Sequence, residues 1–246
     1  ENLGLPSNTG TSEVVFAGPF PLFSGDATRR LRKELLSEEV QNNCEVKPRF
    51  VGRLFRGMVP SRYAQYANNL WWHRDTLSRI SMFAEIDLEP VMDMEISNVN
   101  MFEPGEGEHG VVVKWHKDSY PYVCVVMLST TMGIKGGETV LRGPYGECRE
   151  LEPIQMGCAY ILQGQHIDHM VKSFTGSNKR ITAITYLRPC SPFLIDETYL
   201  GMSRQISPSH RLYGEFFKYR MGQICARVRN ITNEKTPKKK LVGTEI

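Results

Sequence analysis

Lys114-Trp115-His116-Lys117-Asp118 closes an apolar run, Val111-Val112-Val113. The run predicts a β-strand, in which residues i and i+2 point to one face. His116 and Asp118 would then offer a nitrogen and a carboxylate oxygen to a common point. Two donors do not make a metal site, so a third must come from a segment that folds back alongside. Gly164-Gln165-His166-Ile167-Asp168-His169 supplies candidates. Two histidines and one carboxylate on one face, with the remaining positions open, suit a non-haem Fe(II) that activates O2.

Working outward, short apolar runs recur from Val91 to Pro189 between turn signals such as Pro104-Gly105, Gly136-Gly137 and Gly143-Pro144. Strands are predicted near 92–102, 110–118, 121–129, 138–142, 147–152, 158–163, 168–174 and 180–188. Short strands at that spacing predict an all-β sandwich or jelly-roll barrel. Helical patterns flank the block rather than alternate with its strands, which disfavours a parallel βαβ sheet. Before the block, Ser12–Ala17 reads as a short strand ended by Gly18-Pro19, and Asp26 as the cap of a helix over 27–41. Residues 50–58 read as a strand. Ser61 reads as the cap of a helix over 62–84, whose aromatic stripe packs on a sheet. After it, Ser209 caps a helix over 210–232. The expected class is mainly β with flanking helices (α+β), in one domain over 1–246. Its core is about 91–190, with support from 12–90, a C-terminal helix over 209–232 and a basic tail over 233–246. Residues 1–11, rich in Gly, Ser and Asn, read as a poorly ordered arm.

Composition narrows the function classes. The chain is 41% hydrophobic and 23% charged, ordinary for a globular protein. A net charge of +3 gives no case for nucleic acid, and part of it sits in Lys235, Lys238, Lys239 and Lys240, read as a solvated tail. No apolar run reaches the roughly 18 residues of a membrane span, and Glu1–Asn8 shows no basic-then-apolar leader pattern. The six cysteines are scattered, with no CxxC, so zinc fingers and redox dithiols are unsupported. Reduced thiols and a cytoplasmic setting are expected.

Beyond the ligands, Asn178-Lys179-Arg180-Ile181-Thr182-Ala183-Ile184-Thr185-Tyr186 places Arg180, Thr182, Ile184 and Tyr186 on one strand face. If that face is interior, Arg180 needs an anionic partner, because burying an unpaired charge is prohibitive. A guanidinium with a hydroxyl two residues on suits a carboxylate.

The ordered set His116-x-Asp118, a distal His169, and Arg180-x-Thr182 eleven residues later resembles the Fe(II)/2-oxoglutarate-dependent oxygenases. Phe102-Glu103-Pro104-Gly105 and Gly136-Gly137-Glu138-Thr139 look like turns common in that family. The resemblance covers roughly residues 91–190 and implies a double-stranded β-helix, the jelly-roll or cupin-like core. It implies Fe(II) held by His116, Asp118 and His169, and 2-oxoglutarate anchored by Arg180 and Thr182. O2 would be consumed with release of succinate and CO2 while a substrate C–H bond is oxidised, and ascorbate would stimulate. Trp115 to Tyr122 is similar to fungal biosynthetic members, including one that oxidises valine to an aziridine amino acid. A small-molecule substrate, an amino acid among the candidates, is therefore expected.

Alternatives stand beside these readings. His166 competes with His169 for the third ligand. His169 is favoured because His169-x-Val171 continues an alternating strand toward Arg180. Asp168 alternates to the opposite face. Tyr120, Tyr122, Arg56 and Asn100, with Trp115 and Asn98, are expected at the substrate mouth, or packed in the barrel. A protein hydroxylase or demethylase of the same fold is one alternative function, and a non-catalytic cupin-like binding protein another. Oligomeric state is not legible.

Overall fold

The computed structural model describes residues 10–46, 52–58 and 63–235. The expected Ser61 cap, the tail beyond Lys235 and most of the N-terminal arm lie outside them. In chain order, β1 (Phe16–Pro21) leads to helices α1 (Gly25–Leu35) and α2 (Glu38–Cys44), then β2 (Glu45–Val46) and β3 (Arg53–Phe55). Helices α3 (Gln65–Trp71) and α4 (Arg74–Ala84) follow, then β4 (Leu88–Pro90) and β5 (Asn98–Phe102). The core continues with β6 (Val111–His116), β7 (Tyr122–Met127), β8 (Lys135–Gly136), β9 (Thr139–Arg142) and β10 (Cys148–Glu150). It closes with β11 (Cys158–Leu162), β12 (Asp168–Lys172), β13 (Phe174–Thr175) and β14 (Arg180–Pro189), before α5 (Ser209–Lys235).

The strands form a large antiparallel sheet in the order β1-β11-β7-β14-β5-β3-β2, with β4 on β14, and a smaller sheet β10-β9-β12-β6. This is a double-stranded β-helix in a mainly β, α+β fold, the jelly-roll alternative of the strand spacing and the core that the resemblance implied. No described helix is long and apolar enough to cross a membrane. All six cysteines are free.

Strand alternation divides the large sheet into two faces. Tyr122, Cys124 and Val126 of β7, Ala159 and Ile161 of β11, and Ile181 and Ala183 of β14 pack under the helices with Leu31, Leu35, Trp71 and Ile80. Each large apolar side chain fully buried there contributes about 1.5–3 kcal/mol. The intervening residues face the smaller sheet and enclose a cavity.

Several elements differ from the sequence expectation, each for a local reason. The first helix is two helices, α1 capped by Ser24 rather than Asp26, and α2 capped by Ser37. Both serine hydroxyls accept a backbone N–H inside the first turn, satisfying a donor the helix cannot. The second long helix breaks at Trp72–His73, where the His73 imidazole accepts from the Asp75 N–H and starts α4. β1 does not stop at Gly18-Pro19. It runs through them at the sheet edge, with a register shift opposite β11, where a residue without an N–H is tolerated. Gly18 has φ +132°, and a Cβ there would come within 2.8 Å of the Tyr160 Cα. The strand expected over 92–102 is interrupted by a 3-10 turn at Asp93–Glu95, which aims Glu95 inward. The N-terminal arm is tied down at its end: Thr11 bonds Gln163 and the Tyr122 hydroxyl.

Candidate metal centre and cavity

His116 and His169 are direct cross-strand partners on β6 and β12. Their ring centroids lie 4.1 Å apart. Asp118 follows two residues after His116, as its backbone N–H reaches across to the Gly164 carbonyl at 2.8 Å. One ligand atom from each of His116, Asp118 and His169 lies within 4.8 Å of the others. The His116 Nε2 is 3.8 Å from Asp118 Oδ1, and His169 Nε2 is 3.6 Å from Asp118 Oδ2.

The tautomers are set by the backbone. His116 Nδ1 lies 2.8 Å from the Lys114 carbonyl, and His169 Nδ1 lies 3.1 Å from that of Ile167. A carbonyl only accepts, so each Nδ1 carries the proton and each Nε2 presents its lone pair to the common point. Burial pushes the His169 imidazole below its ordinary pKa, opposed by the Asp118 charge. Asp118 is 4% exposed and its Oδ2 has no hydrogen-bond partner. Two imidazole Nε2 atoms facing a buried carboxylate with one unpartnered oxygen form the donor set that a divalent cation would satisfy, and the set fits Fe(II). Gly164 makes room for it: a Cβ there would sit 2.8 Å from the Asp118 Cγ and closer to its oxygen.

His169, not His166, joins this cluster. His166 lines a separate surface cleft with Lys117, Arg142 and Asp168. Asp168 points away from His169 and pairs with Arg142 at 3.1 Å. Arg142 also stacks on Trp115, its guanidinium carbon 4.4 Å from the ring centroid. Trp115 therefore covers the outer face of the small sheet and is absent from the cavity wall.

The three ligand residues open on a cavity with a free volume of about 100 Å3. Arg180, Thr182, Ile184 and Tyr186 of β14 all line it, in the expected alternation. Arg180 is 5% exposed. Among the described residues no carboxylate stands within ion-pair distance of it; its neighbour Lys179 takes Glu103 instead. Burial pushes the Arg180 guanidinium below its ordinary pKa, opposed by the Tyr160 hydroxyl and Glu138. Tyr160 is held in turn by the Thr139 hydroxyl.

The far wall is a buried polar cluster. Arg56 donates to both oxygens of Glu95 at 2.6 Å, Tyr120 donates to Glu95 at 2.6 Å, and Asn98 donates to it at 2.8 Å. Ser203 lies 2.9 Å from the Tyr120 hydroxyl. Burial and the Glu95 charge raise the Tyr120 pKa well above its ordinary value. Two atoms of this wall, Arg56 Nε and Asn98 Oδ1, are buried without a partner. Arg56, Asn98, Asn100 and Tyr120 thus line the cavity, the first two and Tyr120 buried in its wall rather than exposed at a mouth. Tyr122 does not: it starts β7 on the other face of the sheet and lies in the helix-side core, because residues two apart across the Pro121 turn no longer share a strand face. Glu95, Ser203, Tyr160 and Gly164 were not singled out from sequence. Only Gly164, directly ahead of the second histidine segment, carried a local signal.

No family model matches this chain, and no curated protein matches its sequence. Solved structures do resemble it. The non-haem alpha-ketoglutarate-dependent epimerase SnoN from nogalamycin biosynthesis is 10% identical, over 72% of this chain and 78% of its own, with a TM-score of 0.55. An oxidoreductase of the 2OG-Fe(II) oxygenase family from Burkholderia pseudomallei is 13% identical, over 70% and 82%, with a TM-score of 0.53. HygX from Streptomyces hygroscopicus, solved with nickel and 2-oxoglutarate bound, is 12% identical, over 73% and 84%, with a TM-score of 0.51. At such identities the likeness is one of fold, and the fold it supports here is the double-stranded β-helix.

Proposed function

We propose that this protein is an Fe(II)- and 2-oxoglutarate-dependent oxygenase, in a single domain, that oxidises a C–H bond of a small molecule and releases succinate and CO2. One observation carries the reading. Arg180 is a buried guanidinium without a carboxylate partner among the described residues, and it opens on the same cavity as three converging ligand atoms. Leaving a charge buried and unpaired costs several kcal/mol, which an anionic co-substrate lying between Arg180 and a metal would offset.

In this reading His116, Asp118 and His169 hold the metal, and Arg180 with Thr182 holds the distal carboxylate of 2-oxoglutarate. Bound Fe(II) and 2-oxoglutarate supply the O2-dependent oxidation. The chain's own part is positioning and exclusion of water. The Lys114 and Ile167 carbonyls orient the imidazoles, Gly164 seats Asp118, and Val113, Val125, Leu162 and Ile184 keep the cavity apolar.

The substrate reading extends this to a small amino acid. Arg56 and Asn98 give the cavity a polar wall that suits the charged groups of an amino acid. Asn100 and Tyr120 share that wall. The outcome at the substrate carbon (hydroxylation, desaturation or ring closure, the aziridine-forming oxidation of valine included) is read from product mass. Six free thiols are in keeping with a cytoplasmic setting.

The test is succinate formation from 2-oxoglutarate with Fe(II), ascorbate and O2, across an amino-acid panel. Turnover supports the reading. No succinate under any condition, even uncoupled, would leave a ligand-binding protein of the same fold in its place.

A further inference from the structure

Helix α5 has two apolar faces. One, with Leu212, Phe216 and Tyr219, is seated on the domain. The other is uncovered. Phe217, Met221, Ile224, Val228 and Ile231 are each between 41% and 65% exposed. Their spacing is 4, 3, 4 and 3, the a/d repeat of a helix that pairs with another helix. From Ile224 to Thr232 no residue is buried, so nothing in the described chain covers the seam.

A loop borders this stripe. Arg220 donates to the Asp196 carbonyl at 3.3 Å, and Arg227 donates to that of Pro192 at 2.6 Å. The loop so held presents Phe193 and Ile195, both more than half exposed. Helix stripe and loop edge together make one apolar surface flanked by arginines.

We infer that this surface is the two-fold interface of a homodimer, in which α5 pairs with α5 of a second copy. Three observations favour that occupant. A strict a/d stripe is the narrow seam of a helix pair, whereas a helix lying on a membrane needs a broader apolar face. The area is sufficient: seven large apolar side chains about half exposed offer on the order of 700 Å2, each contributing about 100 Å2, close to the roughly 800 Å2 per partner of a stable interface. The arginines beside the seam are already engaged by Asp196 and Pro192, so no acidic partner is called for.

Sedimentation velocity of the full chain at about 20 μM tests this, since interfaces of such size bind at micromolar or tighter. The expected result is a species of twice the monomer mass. Ile224→Glu with Val228→Glu is expected to give monomer with unchanged circular dichroism, while Arg229→Glu, outside the seam, remains dimeric. If the double glutamate variant fails to fold, Met221→Gln with Val228→Gln is expected to weaken the dimer at least tenfold. A monomeric wild-type protein at this concentration overturns the proposal, as does a dimer that neither pair of substitutions weakens. Monomer that co-sediments with phosphatidylserine vesicles would assign the surface to lipid instead. None of these readouts depends on iron, 2-oxoglutarate or turnover.

Discussion

Gly164 and Asp118 are held against one another: the Gly164 carbonyl accepts the Asp118 N–H at 2.8 Å, and the Gly164 Cα leaves space only for the carboxylate. A methyl group at Gly164 would overlap the Asp118 carboxylate, which is the free end of a side chain and swings away more easily than backbone. Gly164→Ala is therefore expected to leave the fold intact and to lower affinity for Fe(II) or Co(II) by tenfold or more. Metal titration under anaerobic conditions, beside circular dichroism, checks this. Unchanged metal affinity would show that Asp118 does not need the space.

His166 and His169 separate cleanly in the fold, three residues apart but on different surfaces. His169→Ala is expected to abolish stoichiometric metal binding, and His166→Ala to leave it within about threefold. The converse pattern sinks the ligand set proposed above.

Arg180 makes an opposed pair of predictions. In the ligand-free protein its buried charge lacks a carboxylate partner, so Arg180→Met is expected to hold or raise Tm. The same change is expected to weaken 2-oxoglutarate binding about a hundredfold, the loss of a charge-assisted bidentate contact of about 3 kcal/mol. Thermal shift with and without 2-oxoglutarate reads both at once. A variant still stabilised by 2-oxoglutarate counts against the anchor.

The His169 environment fixes a pH dependence for the metal-free protein. Its folded pKa lies below the unfolded value of about 6.5. The unfolded chain therefore binds the proton first as pH falls. Stability is fully present above about pH 6.5 and declines below it, by up to about 1.4 kcal/mol per pH unit until the folded pKa is reached. Denaturant midpoints in chelator between pH 5 and 8 measure the slope. His169→Gln is expected to flatten it, and an identical slope in the variant would place its origin elsewhere.

Period-two patterning made the β core readable. Arg180, Thr182, Ile184 and Tyr186 could be set on one face from sequence, and all four line the cavity. Tyr120 and Tyr122 were not separable in this way, because the alternation holds only within a strand and β7 begins at Tyr122. Helix ends were less legible. Ser37 and His73 each cap a helix inside what reads as continuous helical pattern, and Ser24 caps α1 two residues ahead of Asp26, since a cap is decided by one local hydrogen bond.

What the sequence determined by itself was chemistry carried by short range order: His116 and Asp118 at strand spacing, a strand class for the core, and an arginine that would need an anion if buried. What only the tertiary structure decided was which distant groups meet. His169 rather than His166 reaches Asp118 because the β12–β6 register sets it directly opposite His116. Glu95 neutralises Arg56 because a 3-10 turn interrupts the strand pattern and turns it inward. The α5 stripe was written in the sequence as apolar residues, yet whether a helix face is core or surface depends on what folds against it, and nothing described in this chain does.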